Sequence, residues 1–107
     1  MRAILDNDFP VLMGKLGNWP GDITLAASEA AMRIGKTCPP GAVFVDVGCN
    51  TGRGTVALAH CAYRLGGKVL AVPEQGATQQ VAGWFNRAML MFQMNRVVTK
   101  VDNVAEF

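Results

Sequence analysis

The chain has 107 residues, of which 50% are hydrophobic and 17% charged, a composition typical of a folded globular domain rather than a disordered chain. Its net charge of +2 comes from basic residues scattered along the sequence, which gives no reason to expect nucleic-acid binding. No apolar run approaches the roughly 20 residues of a membrane span. The first residues, MRAILDNDFP, carry acidic side chains where a signal peptide is apolar. These features predict one soluble, cytoplasmic domain.

The cysteines give no sign of a metal centre. Cys38, Cys49 and Cys61 are odd in number and lack the CxxC spacing of zinc sites and disulfide frameworks. We therefore expect free thiols, as in a reducing compartment, and no bound metal.

Helical and extended segments alternate along the chain. Residues 1–23 are predicted to be irregular, with Trp19 packed against the domain as a lid or anchor. Hydrophobic periodicity and flanking glycine or proline predict the following elements: a helix at 24–34, a strand at 42–47, a helix at 53–65, a strand at 68–72, a helix at 77–94 and a strand at 96–101. The first strand, AVFVDV, lacks polar alternation, so we expect it to be buried on both faces.

This order predicts an α/β domain over residues 24–107 with parallel strands and right-handed crossovers. The turn from the first strand into the next helix, within VFVDVGCNTGRGTVALAH, is rich in glycine. A phosphate-binding P-loop is excluded because no lysine follows Gly52 or Gly54. A dinucleotide fingerprint is disfavoured because Asn50 stands where its second glycine belongs.

The remaining pattern is an acidic residue at the strand end, then a glycine, then a second glycine four residues later: Asp46, Gly48 and Gly52. This stretch resembles motif I of the class I S-adenosylmethionine-dependent methyltransferases, and is closest to the FkbM-type and related small-molecule enzymes. The resemblance covers residues 24–103. It implies a three-layer Rossmann-like fold with strand order 3-2-1. It also implies cofactor contacts from Asp46, Gly48, Asn50 and Gly52.

The same resemblance implies cofactor contacts from two further acidic residues. The family has a carboxylate at the end of strand 2 that binds the ribose hydroxyls, but here Pro73 occupies that position and Glu74 comes one residue later. Because a one-residue slip turns a strand side chain to the other face, Glu74 is either a displaced ribose ligand or a solvated loop residue. Asp102, after strand 3, is either a neighbour of the adenine or an ordinary turn residue.

The chain corresponds to strands 1–3 of that fold and lacks the half that begins with strand 4. Strand 1 then becomes an exposed edge, which predicts a fragment of a longer enzyme, a homo-oligomer paired through that edge, or a compact minimal domain. The leading hypothesis is an S-adenosylmethionine-binding part of a methyltransferase with an unknown small-molecule acceptor. The alternatives are a non-catalytic self-associating protein and another enzyme acting on an adenosine-containing molecule. His60 is expected to be a packed or surface histidine and not a general base, and the methionines near residue 90 are expected to pack in the core.

Overall fold

The computed structural model describes residues 19–21, 25–92 and 94–101. Its elements in chain order are α1 (Leu25–Gly35), β1 (Val43–Val47), α2 (Arg53–Leu65), β2 (Lys68–Val72), α3 (Gln79–Met91) and β3 (Val98–Lys100). Every predicted helix and strand is therefore present, and in the predicted order. None of the described helices combines the length and the apolar character that crossing a bilayer requires.

The three strands form one parallel sheet in the order β1-β2-β3. Asp46 of β1 lies beside Ala71 of β2, and Ala71 lies beside Lys100 of β3. The parallel pairing and the strand order confirm the predicted Rossmann-like α/β fold. Because parallel strands end at a common edge, the segments that follow β1 and β2 meet above the same end of the sheet.

The last helix and strand are shorter than predicted. The predicted helix at 77–94 begins instead after Thr78, whose side chain accepts a hydrogen bond from the backbone N–H of Val81 at 3.2 Å. It ends at Met91, and Phe92 is its C-cap. The predicted strand at 96–101 is paired only over Val98–Lys100. Capping chemistry, which hydrophobic periodicity does not register, sets the start of α3.

The described helices form one layer against one face of the sheet. Crossovers between parallel strands are right-handed as a rule, and two that progress in the same direction place α2 and α3 on the same side of the sheet. Phe85 of α3 lies under Lys100 of β3, whose Nζ is 5.3 Å from the ring centroid. α1 packs on α2 so closely that a Cβ on Gly35 would lie 2.8 Å from the Cys61 sulfur. The core lies between these helices and the sheet.

The opposite face of β1 is not covered by any described element. Val43 and Val45 are each 51% exposed and Val47 is 76% exposed, whereas the alternate residues Phe44 and Asp46 face the helices. The prediction of a strand buried on both faces is therefore wrong for the described residues. The apolar residues on this face have no described element packed against them. The described part of the chain contains the sheet and one layer of helices.

Candidate functional site

A cavity of about 300 Å³ opens at the carboxyl ends of β1 and β2. This is the end of a parallel sheet at which α/β folds bind ligands, and the volume lies at the lower limit for small-molecule sites. The cavity is lined by Gly21, Asp46, Gly48, Cys49, Asn50, Thr51, Arg53, Gly54 and Glu74. The lining therefore combines two carboxylates, one guanidinium, and a turn rich in glycine.

The turn after β1 is tied to the end of β2. The carbonyl oxygen of Val72 accepts hydrogen bonds from the backbone N–H groups of Gly48 at 2.7 Å and Cys49 at 2.9 Å. The chain then reverses through left-handed backbone at Gly48 (φ 77°) and Asn50 (φ 49°), and enters α2 after Gly52 (φ 86°). Since L side chains are disfavoured in this region, the turn needs glycine or asparagine at these positions.

Asp46 is a partly buried carboxylate at the penultimate position of β1. Its Oδ2 accepts a hydrogen bond of 2.5 Å from the hydroxyl of Thr55, which is fully buried in α2. Burial raises the pKa of Asp46 above its ordinary value, the Thr55 hydroxyl lowers it, and the nearby Glu74 carboxylate raises it further. The folded protein thus disfavours the charged form of Asp46 relative to the unfolded chain.

Glu74 reaches the same cavity although Pro73 stands before it. The backbone beyond Val72 no longer follows the strand, so the alternation of faces does not apply to Glu74. The side-chain Nδ2 of Asn50 lies 3.3 Å from Glu74 Oε2. Glu74 Oε1 is buried and has no hydrogen-bond partner among the described residues. A buried acceptor without a donor is costly, so this oxygen suits a donor group on a ligand.

Of the six predicted cofactor residues, the structure brings together four: Asp46, Gly48, Asn50 and Glu74. Gly52 is not among the lining residues. A Cβ there would lie 3.2–3.3 Å from the side chains of three residues of α3, so Gly52 allows two helices to approach closely. Asp102 lies outside the described residues. The roles assigned to all six remain predictions.

Sequence reasoning missed the contribution of the segment Trp19–Gly21 to the cavity wall. Trp19 Nε1 donates to the carbonyl oxygen of Thr51 at 3.1 Å, and the Thr51 hydroxyl donates to the carbonyl oxygen of Pro20. The Trp19 ring lies edge-on to Trp84 and Phe92, with centroids 5.3 and 6.1 Å away. The predicted anchoring of Trp19 is confirmed, but its contacts lie 32 or more residues away along the chain and no local sequence pattern indicated them.

Arg53 and Cys49 were also not predicted as site residues. Arg53 Nη1 donates to the Trp19 carbonyl oxygen at 3.3 Å, and its buried Nε has no hydrogen-bond partner among the described residues. Burial, with the negative charges of Asp46 and Glu74, raises the pKa of Cys49 to about 12. That thiol is therefore protonated at neutral pH and is a poor nucleophile.

His60 is placed away from this chemistry. It is 1% exposed within α2 and does not line the cavity, so of the two expected placements, packed or surface, the packed one is found. Among the described residues no group of three or more histidine, cysteine or acidic side chains is placed to hold a metal ion.

One solved structure with the same architecture is a precorrin-6y C5,15-methyltransferase from Geobacter metallireducens GS-15. The match has a TM-score of 0.62 and 15% sequence identity, and it covers 79% of this chain and 42% of that one. At this identity the likeness establishes the fold, and the chain spans less than half of that methyltransferase. No protein-family model matches the sequence, and a search of curated proteins gives no significant match.

We expect Asp46→Asn to stabilise the fold at neutral pH. A raised folded-state pKa means that the protonated carboxyl favours the folded state, and this contribution is lost as pH rises through the raised value. Removing the charge should therefore increase the free energy of unfolding at neutral pH, with a gain that shrinks in acid. Chemical denaturation across pH measures this. As a control, Thr55→Val should lower the free energy of unfolding by about 1.5–3 kcal/mol, because it removes a hydrogen-bond donor to a charged group. An Asp46→Asn protein less stable than wild type at neutral pH would contradict the assignment.

Three glycine-to-alanine variants should separate backbone strain from packing. Gly41 and Gly48 share φ 77°, and a Cβ on either would meet nothing within 4 Å. Alanine at either position should therefore lower the free energy of unfolding by about 1–2 kcal/mol through backbone strain alone. Gly52→Ala should lower the free energy of unfolding by about 1–3 kcal/mol more than these two, because its Cβ would press on side chains of α3. Denaturation curves that show equal losses at all three positions would contradict the packing role of Gly52.

Proposed function

We propose that this chain binds S-adenosylmethionine in the cavity at the ends of β1 and β2, as the cofactor-binding part of a small-molecule methyltransferase. The observation that carries the proposal is the convergence of the Asp46 and Glu74 carboxylates on one cavity beside a glycine turn. The fold shared with a methyltransferase of known structure supports it. The acidic-and-glycine spacing after β1 supports it independently.

The residues present fit the chemical groups of this cofactor. A carboxylate accepts two hydrogen bonds, so the Glu74 oxygen that lacks a donor suits a ribose hydroxyl. Open space at the Gly48 Cβ position lets a ligand approach the backbone closely. Asp46 adds negative charge near the turn, which favours a cationic ligand over a phosphate. Bound S-adenosylmethionine supplies a methyl group already activated on a positively charged sulfur.

Methyl transfer from such a cofactor depends mainly on positioning the acceptor. The cavity described here accounts for the cofactor, and the proposal places the acceptor site on further chain or on a partner that completes the sheet beyond β1.

Isothermal titration calorimetry with S-adenosylmethionine and S-adenosylhomocysteine tests the binding. The wild-type chain should bind, and Gly48→Ala should weaken binding by roughly tenfold or more because a Cβ would occupy space the ligand needs. Gly41→Ala is the matched control, since it has the same φ and the same open surroundings but does not line the cavity. Absence of heat and of any thermal shift at millimolar ligand would contradict the proposal.

A second candidate, a non-catalytic protein that self-associates through β1, is favoured by the position of β1 at the edge of the described sheet, where its outer backbone groups have no partner strand. A twofold axis through Val45 would pair two copies of β1 antiparallel, with Val43 opposite Val47 of the second copy. All three valines would then lie on one face of a six-stranded sheet. The sequence VFVDV is thus self-complementary, as a twofold interface requires, and no like charges face each other.

Analytical ultracentrifugation tests this candidate. Wild type should form a dimer, and Val45→Glu at the centre of β1 should give monomers, because the twofold axis would place two glutamates directly opposite each other. Ile34→Glu is the control, because Ile34 is 68% exposed but lies on α1. A wild-type chain that stays monomeric at high micromolar concentration, or dimers that survive Val45→Glu, would overturn the candidate.

A further inference from the structure

We infer that Asn50 is a positioning residue that fixes the Glu74 carboxylate, so that one of its oxygens faces a hydroxyl group of the bound ligand. The inference rests on the proposed function, because it concerns the same cavity. It adds a residue through which the site distinguishes ribose from deoxyribose.

The backbone and side chain of Asn50 are both constrained. Among the described residues it is the one non-glycine residue with positive φ. Asparagine tolerates this region better than other side chains. Its Oδ1 accepts a hydrogen bond of 2.9 Å from the backbone N–H of Thr51. Since a backbone N–H can only donate, this contact assigns the oxygen of the amide, and Nδ2 must be the atom that faces Glu74.

The Asn50 amide therefore leaves the two Glu74 oxygens unequal. Oε2 accepts from Nδ2 at 3.3 Å, while Oε1 is buried without a partner among the described residues. Pro73 removes Glu74 from the regular strand, so β2 itself does not set the direction of this side chain. The contact with Asn50 supplies the orientation that strand geometry would otherwise give, and the free acceptor then meets a ligand O–H.

Two substitutions separate this role from a purely structural one. Asn50→Gly keeps a residue suited to positive φ and removes the amide. Asn50→Asp keeps the size and an acceptor for the Thr51 N–H, but replaces the donor to Glu74 by a carboxylate oxygen that repels it. If Asn50 only shapes the turn, both variants should bind ligands normally. If it positions Glu74, both should lose discrimination between ligands that differ by one hydroxyl.

The experiment compares S-adenosylhomocysteine with its 2′-deoxy and 3′-deoxy analogues by calorimetry, using wild type, Asn50→Asp, Asn50→Gly and Glu74→Gln. Wild type should bind the parent ligand at least about tenfold more tightly than one of the deoxy analogues, as expected for a hydrogen bond to a charged acceptor. In the two Asn50 variants and in Glu74→Gln, the preference for the parent ligand over that deoxy analogue should fall to about one- to threefold. The affinity of each variant for the analogue itself should stay within about threefold of the wild-type value. Thermal melts confirm that each variant is folded, and an unfolded Asn50→Gly leaves the comparison to Asn50→Asp and Glu74→Gln.

The outcomes distinguish the inference from the proposed function. If wild type binds S-adenosylhomocysteine but the Asn50 variants keep the wild-type ratio, or weaken parent and analogues equally, the positioning role is overturned and the proposed function stands. If Glu74→Gln lowers the ratio and the Asn50 variants do not, Glu74 acts without Asn50 and the inference is again overturned. If wild type binds none of these ligands, the proposed function fails and the inference fails with it.

Discussion

The site depends on the way the turn after β1 is tied to the end of β2. The Val72 carbonyl oxygen accepts the N–H groups of both Gly48 and Cys49, so the turn folds back over the neighbouring strand instead of continuing away from the sheet. This places Asn50 within reach of Glu74 and brings two carboxylates to one cavity. Positive φ at Gly48, Asn50 and Gly52 is the backbone requirement for this path.

The cavity contains polar groups that the described residues leave unsatisfied. Asp46 is buried with its pKa raised, and its hydrogen bond from Thr55 offsets only part of that cost. Glu74 and Arg53 each have a buried polar atom without a partner among the described residues. Groups of this kind cluster at functional sites. These unsatisfied groups point to a binding site independently of the resemblance in sequence.

Much of the fold could be predicted from the sequence because it depends on local periodicity. The apolar positions of α2 and α3 and the proline that ends β2 define elements whose bounds differ from the structure by a few residues. Two features could not be predicted. The position of Glu74 depends on irregular backbone beyond Pro73, where strand alternation fails. The place of Gly21 in the cavity wall depends on contacts of Trp19 and Pro20 with distant parts of the chain. The exposure of Val45 was mispredicted, since an apolar run indicates that a face needs covering but not what covers it.

The most direct test of the account is a two-dimensional ¹H–¹⁵N NMR titration of the chain with S-adenosylmethionine. We expect the backbone amide signals of Gly48, Asn50 and Glu74 to shift together and to give one dissociation constant. The indole N–H signal of Trp19 should shift with them, whereas the amide signal of Gly41 should stay in place. Absence of shifts at millimolar ligand, or shifts confined to residues away from the cavity, would contradict it.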